Sequence, residues 1–77
     1  MTIEPADSFS TGLAVCSEVM LYLASRMHRL KPGEVLEFIS TDPDAAKELI
    51  PWVEMRGYTL LDVQQLEDQQ TRFLIRR

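Results

Sequence analysis

Apolar positions recur along the chain with two different spacings, which predict the order of its helices and strands. After Ser17, apolar residues stand three and four positions apart, at Met20, Leu23, Met27 and Leu30. This spacing is typical of one buried helix face. The Ser17 hydroxyl can accept a hydrogen bond from a backbone N–H group, so Ser17 is the predicted N-cap. Lys31-Pro32-Gly33-Glu34 ends the helix, because proline cannot continue it and glycine permits the turn.

Four stretches have the composition of strands. The segment from Val35 to Ser40 is largely apolar, with β-branched and aromatic residues. A short strand is predicted within Ser8 to Val15, before the first helix. Tyr58 to Gln65 and Thr71 to Arg76 predict two more strands, and the polar linker Glu67-Asp68-Gln69-Gln70 predicts that they form a hairpin.

A second helix is predicted between the two middle strands. Asp42 is a favourable N-cap and Pro43 fits the first helical position. The residues expected to face inward are Ala45, Ala46, Leu49 and Ile50. Pro51 is expected to kink or restart the helix, and Gly57 to follow its last residue.

These elements define the fold class. The order is β-α-β-α-β-β, which predicts an α+β protein, a two-layer α/β sandwich in which two helices cover one face of a four-stranded mixed sheet. The 77 residues make one domain, 1–77, in which residues 1–7 are expected to form a loose tail. A chain of this length buries about 60% of its unfolded surface, so a thin core is expected.

Cys16, the only cysteine of the chain, is the candidate for covalent chemistry. It falls where the first predicted strand gives way to the first predicted helix. Unpaired N–H groups and the helix dipole favour the thiolate there, and the thiolate is the nucleophilic form of cysteine. One cysteine cannot form an internal disulfide or a cysteine-rich zinc site.

Composition argues against several other functions. The net charge of −4, with eight scattered Lys and Arg residues, is unfavourable for binding nucleic acid. His28 is the only histidine and has no cluster of further ligands, so no metal site is expected. The sequence contains neither an apolar run of about 20 residues nor a signal peptide, and the predicted location is the cytoplasm.

Four features in order resemble the TusA/SirA family of small sulfur carriers. Cys16 opens the first helix and Leu30-Lys31-Pro32-Gly33-Glu34 closes it. Thr41-Asp42-Pro43-Asp44-Ala45 is similar to the Asp-Pro start of the family's second helix, and Leu49-Ile50-Pro51-Trp52 is similar to its Ile-Pro interruption. The resemblance extends from about Gly12 to Arg76.

This resemblance implies a function as well as a fold. Family members carry sulfane sulfur as a cysteine persulfide, which would form here on Cys16, and backbone N–H groups near Ser17 and Glu18 would stabilise the anion. The implied partners are a protein donor, either a cysteine desulfurase or a rhodanese-type protein, and a protein acceptor. No metal or organic cofactor is implied, and neither nucleic acid nor a membrane is expected as a partner.

One departure from the family pattern keeps an alternative open. The family signature is Cys-Pro-x-Pro, whereas this chain has Cys16-Ser17-Glu18-Val19, without either proline. Glu18 also places a negative charge near the thiolate, which it opposes. The alternative is a non-catalytic interaction or regulatory module of the same fold. RNA binding is a third interpretation, from similarity to the C-terminal domain of a translation initiation factor, and the acidic charge argues against it. The oligomeric state is left open.

Overall fold

The structure is a computed structural model that describes residues 4–12 and 17–77. The predicted β-α-β-α-β-β order is confirmed. The elements in chain order are β1 (Asp7–Thr11), α1 (Ser17–Arg29), β2 (Val35–Ser40), α2 (Ala45–Arg56), β3 (Thr59–Gln65) and β4 (Thr71–Arg76).

The four strands form one mixed sheet in the order β1-β2-β4-β3. β1 runs parallel to β2, which requires the crossover that α1 supplies, and the other two pairs are antiparallel. The predicted hairpin of β3 and β4 is confirmed, with a register shift between Leu60 and Asp62. Both helices cover the same face, so the predicted two-layer α+β sandwich is confirmed.

The core lies between the helices and one face of the sheet. Alternate residues of β2, namely Leu36, Phe38 and Ser40, are completely buried, as expected for the covered side of a strand. The predicted stripe on α1 is confirmed, since Leu23, Met27 and Leu30 are buried and Met20 packs against the same core.

The opposite face of the sheet carries a row of hydrogen-bonded polar side chains that crosses all four strands. Ser8 of β1 donates its hydroxyl to Glu37 of β2 at 2.9 Å. The same carboxylate accepts from Nε of Arg72 of β4 at 2.6 Å, and Arg72 donates to Oε1 of Gln64 of β3 at 3.1 Å. Arg72 is therefore a member of this ion-paired row rather than a solvated charge at the edge.

The predicted start of the second helix is wrong by two residues. Asp42 and Pro43 precede the helix, and Asp44 occupies the cap position with φ −99° and ψ 9°. The Asp42 side chain accepts a hydrogen bond from the Asp44 N–H at 3.0 Å, and its carbonyl accepts from the Ala45 N–H at 3.1 Å. Asp42 thus organises a turn before the helix instead of capping its first turn.

The predicted restart at Pro51 is also wrong. α2 continues as one helix to Arg56. Pro51 and Lys47, whose carbonyl loses its partner, are both exposed, so water can bond that carbonyl without interrupting the helix. Gly57 ends α2 with φ 77°, as predicted.

Ile50 was expected to face the core, and this prediction is wrong. The buried residues of α2 are Ala45, Leu49, Trp52 and Val53, whereas 36% of Ile50 is exposed. The buried positions are separated by four, three and one residues, which defines one helix face. Ile50 is about 100° around the helix from Leu49, and therefore turns outward.

Candidate functional site

The candidate site lies at the edge of the sheet where its two parallel strands end. β1 ends at Thr11 and β2 at Ser40, and β4 begins at the same edge because Thr71 pairs with Ser40. The helix α1 begins at Ser17, after the segment that connects it to β1. Cys16 lies in that segment and is outside the described residues, as are Leu13, Ala14 and Val15.

The first turn of α1 contains both residues that were expected to support the cysteine. Ser17 is the first helical residue of α1, whereas its predicted role as the N-cap requires the position just before the helix. Glu18 follows it and is exposed. A carboxylate in the first turn stabilises the helix through the dipole. The effect of either residue on Cys16 stays a prediction.

The side chain of Arg26 connects α1 to β1 through hydrogen bonds. Its Nη1 lies 3.0 Å and 3.1 Å from the two carboxylate oxygens of Asp7, and its Nη2 donates to the Tyr22 hydroxyl at 3.1 Å. The guanidinium also lies over the rings of Tyr22 and Phe9, at 5.2 Å and 5.5 Å from their centroids. The hydrogen bond with Tyr22, followed by that with Asp7, raises the pKa of Arg26 above its ordinary value.

This contact was missed by sequence reasoning, which placed Asp7 in the loose N-terminal tail. Asp7 is the first residue of β1. Asp7 and Arg26 are 19 positions apart in the sequence, and this separation gives no signal of contact. The Arg26–Asp7 ion pair joins β1, which precedes the Cys16 segment, to α1, which follows it. It therefore limits how far β1 and α1 can separate.

An open cleft lies at the same edge, on the side of the sheet that faces away from the helices. Its volume is about 250 Å³. The described residues that line it have no ionisable side chain, and they are Ser10, Thr11, Gly12, Ile39, Thr41 and Gln70. A Cβ added to Gly12 would lie 3.9 Å from the Thr41 hydroxyl oxygen, an ordinary contact. Sequence reasoning could not find this cleft, because three separate parts of the chain form it.

Carboxylates surround this edge. Six belong to the start of α1, the turn before α2, the first turn of α2 and the hairpin loop, and they are Glu18, Asp42, Asp44, Glu48, Glu67 and Asp68. Among the described residues of this edge, Lys47 is the one basic residue. Its distance of 3.9 Å from Asp44, with both side chains highly exposed, gives a weak ion pair. The edge is therefore strongly acidic.

The opposite edge gathers basic side chains from two separate parts of the sequence, the end of α1 and the C-terminal residues. The C-terminal residue Arg77 donates to the carbonyl of His28 at 2.9 Å and to that of Leu30, so it caps the C-terminal end of α1. Its backbone pairs with Gly33 and Glu34. The structure thus brings the basic end of α1 and the basic C-terminus together.

Within residues 4–12 and 17–77, no three His, Cys, Asp or Glu side chains are arranged to hold a metal ion. No helix in the described part of the chain combines the length and the apolar character needed to cross a membrane.

The fold and the site define a small α+β sandwich whose single cysteine directly precedes the first helix in the sequence. A sequence model of the family described as "Sulfurtransferase TusA" matches residues 12–77. A protein of Archaeoglobus fulgidus with the name "Putative sulfur carrier protein" is 30% identical over 53 residues, which cover 69% of this chain and 73% of that protein. The chain belongs to the sulfurtransferase TusA family, which confirms the resemblance inferred from its motifs.

Proposed function

We propose that this protein is a sulfur carrier that relays sulfane sulfur as a persulfide on Cys16. The observation that supports this most directly is the family match over residues 12–77, a range that includes Cys16. Support also comes from the position of Cys16 in the chain, immediately before the first residue of a 13-residue helix.

The proposed reaction consists of two exchanges at sulfur. The Cys16 thiolate attacks the outer sulfur of a donor persulfide, the S–S bond of the donor breaks, and the donor leaves as a thiolate. The product on the carrier is Cys16–S–SH. An acceptor thiolate then attacks the outer sulfur, and the Cys16 thiolate is released unchanged. The sulfur atom keeps its oxidation level, so the relay needs no separate oxidant or reductant.

The first turn of α1 supplies the electrostatic support in this proposal. Its N–H groups have no carbonyl partners within the helix, and the helix dipole adds partial positive charge at this end. Backbone groups of Ser17 and Glu18 therefore stabilise the anionic thiolate and persulfide. The exposed Glu18 side chain opposes them, and water screens its charge.

The partners proposed for the relay are proteins. A cysteine desulfurase or a rhodanese-type protein loads the sulfur, and an acceptor protein with a reactive thiol removes it. We place the relay in the cytoplasm, where thiols are kept reduced.

The test is the intact mass of the protein after incubation with a cysteine desulfurase and free cysteine, beside Cys16→Ser. We expect wild type to gain the mass of one sulfur atom, reductant to reverse the gain, and Cys16→Ser to show none. Fluorescence of Trp52, which is buried, checks that the variant is folded. Equal loading of Cys16→Ser would contradict the proposal.

A second candidate is a non-catalytic interaction module of the same fold. The absence of both motif prolines after Cys16 and the acidic edge around its segment favour it. If a rhodanese-type donor and the desulfurase both fail to load this protein while loading another family member in parallel, the interaction module becomes the better conclusion.

A further inference from the structure

We propose that the cleft lined by Ser10, Gly12, Ile39, Thr41 and Gln70 binds a short uncharged peptide segment of the protein that exchanges sulfur with Cys16. This inference rests on the proposed function and identifies what the site recognises in its partner. It concerns the backbone that flanks the partner's reactive cysteine, not the sulfur itself.

The chemistry of the lining matches a peptide backbone. Hydroxyl groups of Ser10 and Thr41 and the carboxamide of Gln70 can each donate and accept hydrogen bonds. An extended backbone offers one N–H donor and one C=O acceptor at each residue. Ile39 supplies an apolar part of the lining and is itself half-buried.

The volume limits the size of the ligand. At about 250 Å³, the cleft is smaller than the roughly 300–1,000 Å³ of pockets that enclose a drug-sized ligand. It therefore suits a few backbone units of a partner and not an organic cofactor.

Charge argues against small anionic sulfur compounds as ligands. Among the described residues that line the cleft, none has a cationic side chain, and the surrounding edge carries carboxylates of Glu18, Asp42 and Asp68 among others. Thiosulfate and polysulfide would enter a region of like charge without a counterion. A neutral peptide avoids this penalty.

The position of the cleft connects it to the proposed chemistry. Gly12 lines the cleft and Ser17 begins α1, so the chain segment that contains Cys16 starts at the cleft. On the other side of the cleft, the hairpin loop between β3 and β4 contributes Gln70 to the lining. Two residues just before it, Asp68 and Gln69, have φ of 58° and 60° although neither is glycine. They are the two central residues of the hairpin turn from Glu67 to Gln70, in which the Gln70 N–H donates to the Glu67 carbonyl at 3.3 Å, and such turns favour positive φ at both positions.

The test compares two donors with the same reactive group. One is the persulfide of capped Gly-Gly-Cys-Gly-Gly, and the other is the persulfide of N-acetylcysteine N-methylamide. The variants Gly12→Ala, which fills part of the cleft, and Ser10→Ala, which removes a hydroxyl, are compared with Ser25→Ala. Ser25 is exposed on α1 and does not line the cleft.

We expect wild type and Ser25→Ala to accept sulfur faster from the pentapeptide than from the small donor. Ser10→Ala should reduce this advantage roughly twofold to tenfold, which corresponds to the loss of one hydrogen bond. Gly12→Ala should also reduce it, because the added methyl group occupies space that the peptide needs. Transfer from the small donor should stay unchanged, because its reaction does not use the cleft. Equal transfer from both donors to wild type would overturn the peptide subsite.

A binding measurement separates failure of the subsite from failure of the carrier function. The capped peptide with Ser in place of Cys is titrated into ¹⁵N-labelled protein, and amide shifts of Gly12, Thr41 and Gln70 are followed. Shifts without any sulfur loading would retain the subsite and reject the carrier function. Sulfur loading by both donors without amide shifts would retain the carrier function and reject the subsite. Shifts caused by thiosulfate but not by the peptide would reveal an anion site and overturn the inference.

Discussion

The row of aromatic rings across the sheet allows a matched test of the packing. Phe38 of β2 lies between Phe9 of β1, at 5.5 Å between ring centroids, and Phe73 of β4, at 6.0 Å. Phe38 and Phe73 are directly paired across their strands, and both are completely buried. Within the described residues Phe38 has two ring neighbours and Phe73 has one. The perturbation is Phe38→Leu, with Phe73→Leu as its matched control.

The expected difference follows from this geometry. An aromatic pair contributes about 0.5–1.5 kcal/mol beyond the burial of its surface. Phe38→Leu loses two such pairs, or about 1–3 kcal/mol, and Phe73→Leu loses one. Both variants lose similar buried surface, so that contribution largely cancels in the comparison. A domain of this length has a free energy of unfolding of about 4–12 kcal/mol, so both variants should remain folded.

The assay is urea unfolding followed by the fluorescence of Trp52, the only tryptophan of the chain. With a slope of about 1 kcal/mol per molar urea, the midpoint of Phe38→Leu should lie about 0.5–1.5 M below that of Phe73→Leu. Equal midpoints, or a lower midpoint for Phe73→Leu, would refute the argument. The Phe9–Phe38 contact joins β1 to β2, whose ends form the candidate site, so the measurement also reports on the support of that site.

Three further predictions concern single positions. Glu18→Gln should speed alkylation of Cys16 by iodoacetamide at neutral pH, because it removes a negative charge two residues away; an unchanged or slower rate would contradict this. Gly57→Ala should cost about 1 kcal/mol and lower the melting temperature by roughly 4–8 °C. The reason is φ 77° alone, since no atom lies within 4 Å of the added Cβ, and an unchanged melting temperature would disprove it. Pro51→Ala should stabilise the protein by up to about 2 kcal/mol, because it restores the N–H that bonds the Lys47 carbonyl; a lower urea midpoint would count against this.

Much of the fold follows from local patterns in the sequence. β2 and β4 begin and end at the predicted residues, because each combines apolar composition with clear polar or turn residues on both sides. The α1 stripe was predictable because its three- and four-residue spacing continues over eleven residues, from Met20 to Leu30. Gly57 was predictable as a helix end because the left-handed region favours glycine.

The predictions are wrong at positions where tertiary context or a competing local hydrogen bond determines the structure. Asp42 has the properties of an N-cap, but its side chain and carbonyl form a turn with Asp44 and Ala45 instead. Pro51 has the properties of a helix breaker, but it stands on the exposed side of α2, where water can bond the carbonyl that loses its partner. A residue type indicates which bonds are possible, and its surroundings select among them.

The candidate site was predictable only in part. Cys16 was identified from its uniqueness and its position before a helix, which are properties of the sequence. The Arg26–Asp7 contact and the cleft depend on residues 19 to about 60 positions apart. No periodicity or local motif brings such residues together, so these features required the three-dimensional structure.

The separation of charge between the two edges changes what the net charge of −4 means for a partner. Electrostatic screening at physiological ionic strength acts over about 8 Å, whereas the molecule extends 30 Å in its longest direction. A partner at one edge therefore experiences the charges of that edge and very little of the other. A basic partner surface is drawn toward the acidic edge, while a phosphate backbone is repelled there more strongly than the net charge indicates. The protein is an oriented dipole, and salt should slow the approach of a basic partner to its acidic edge more than the net charge implies.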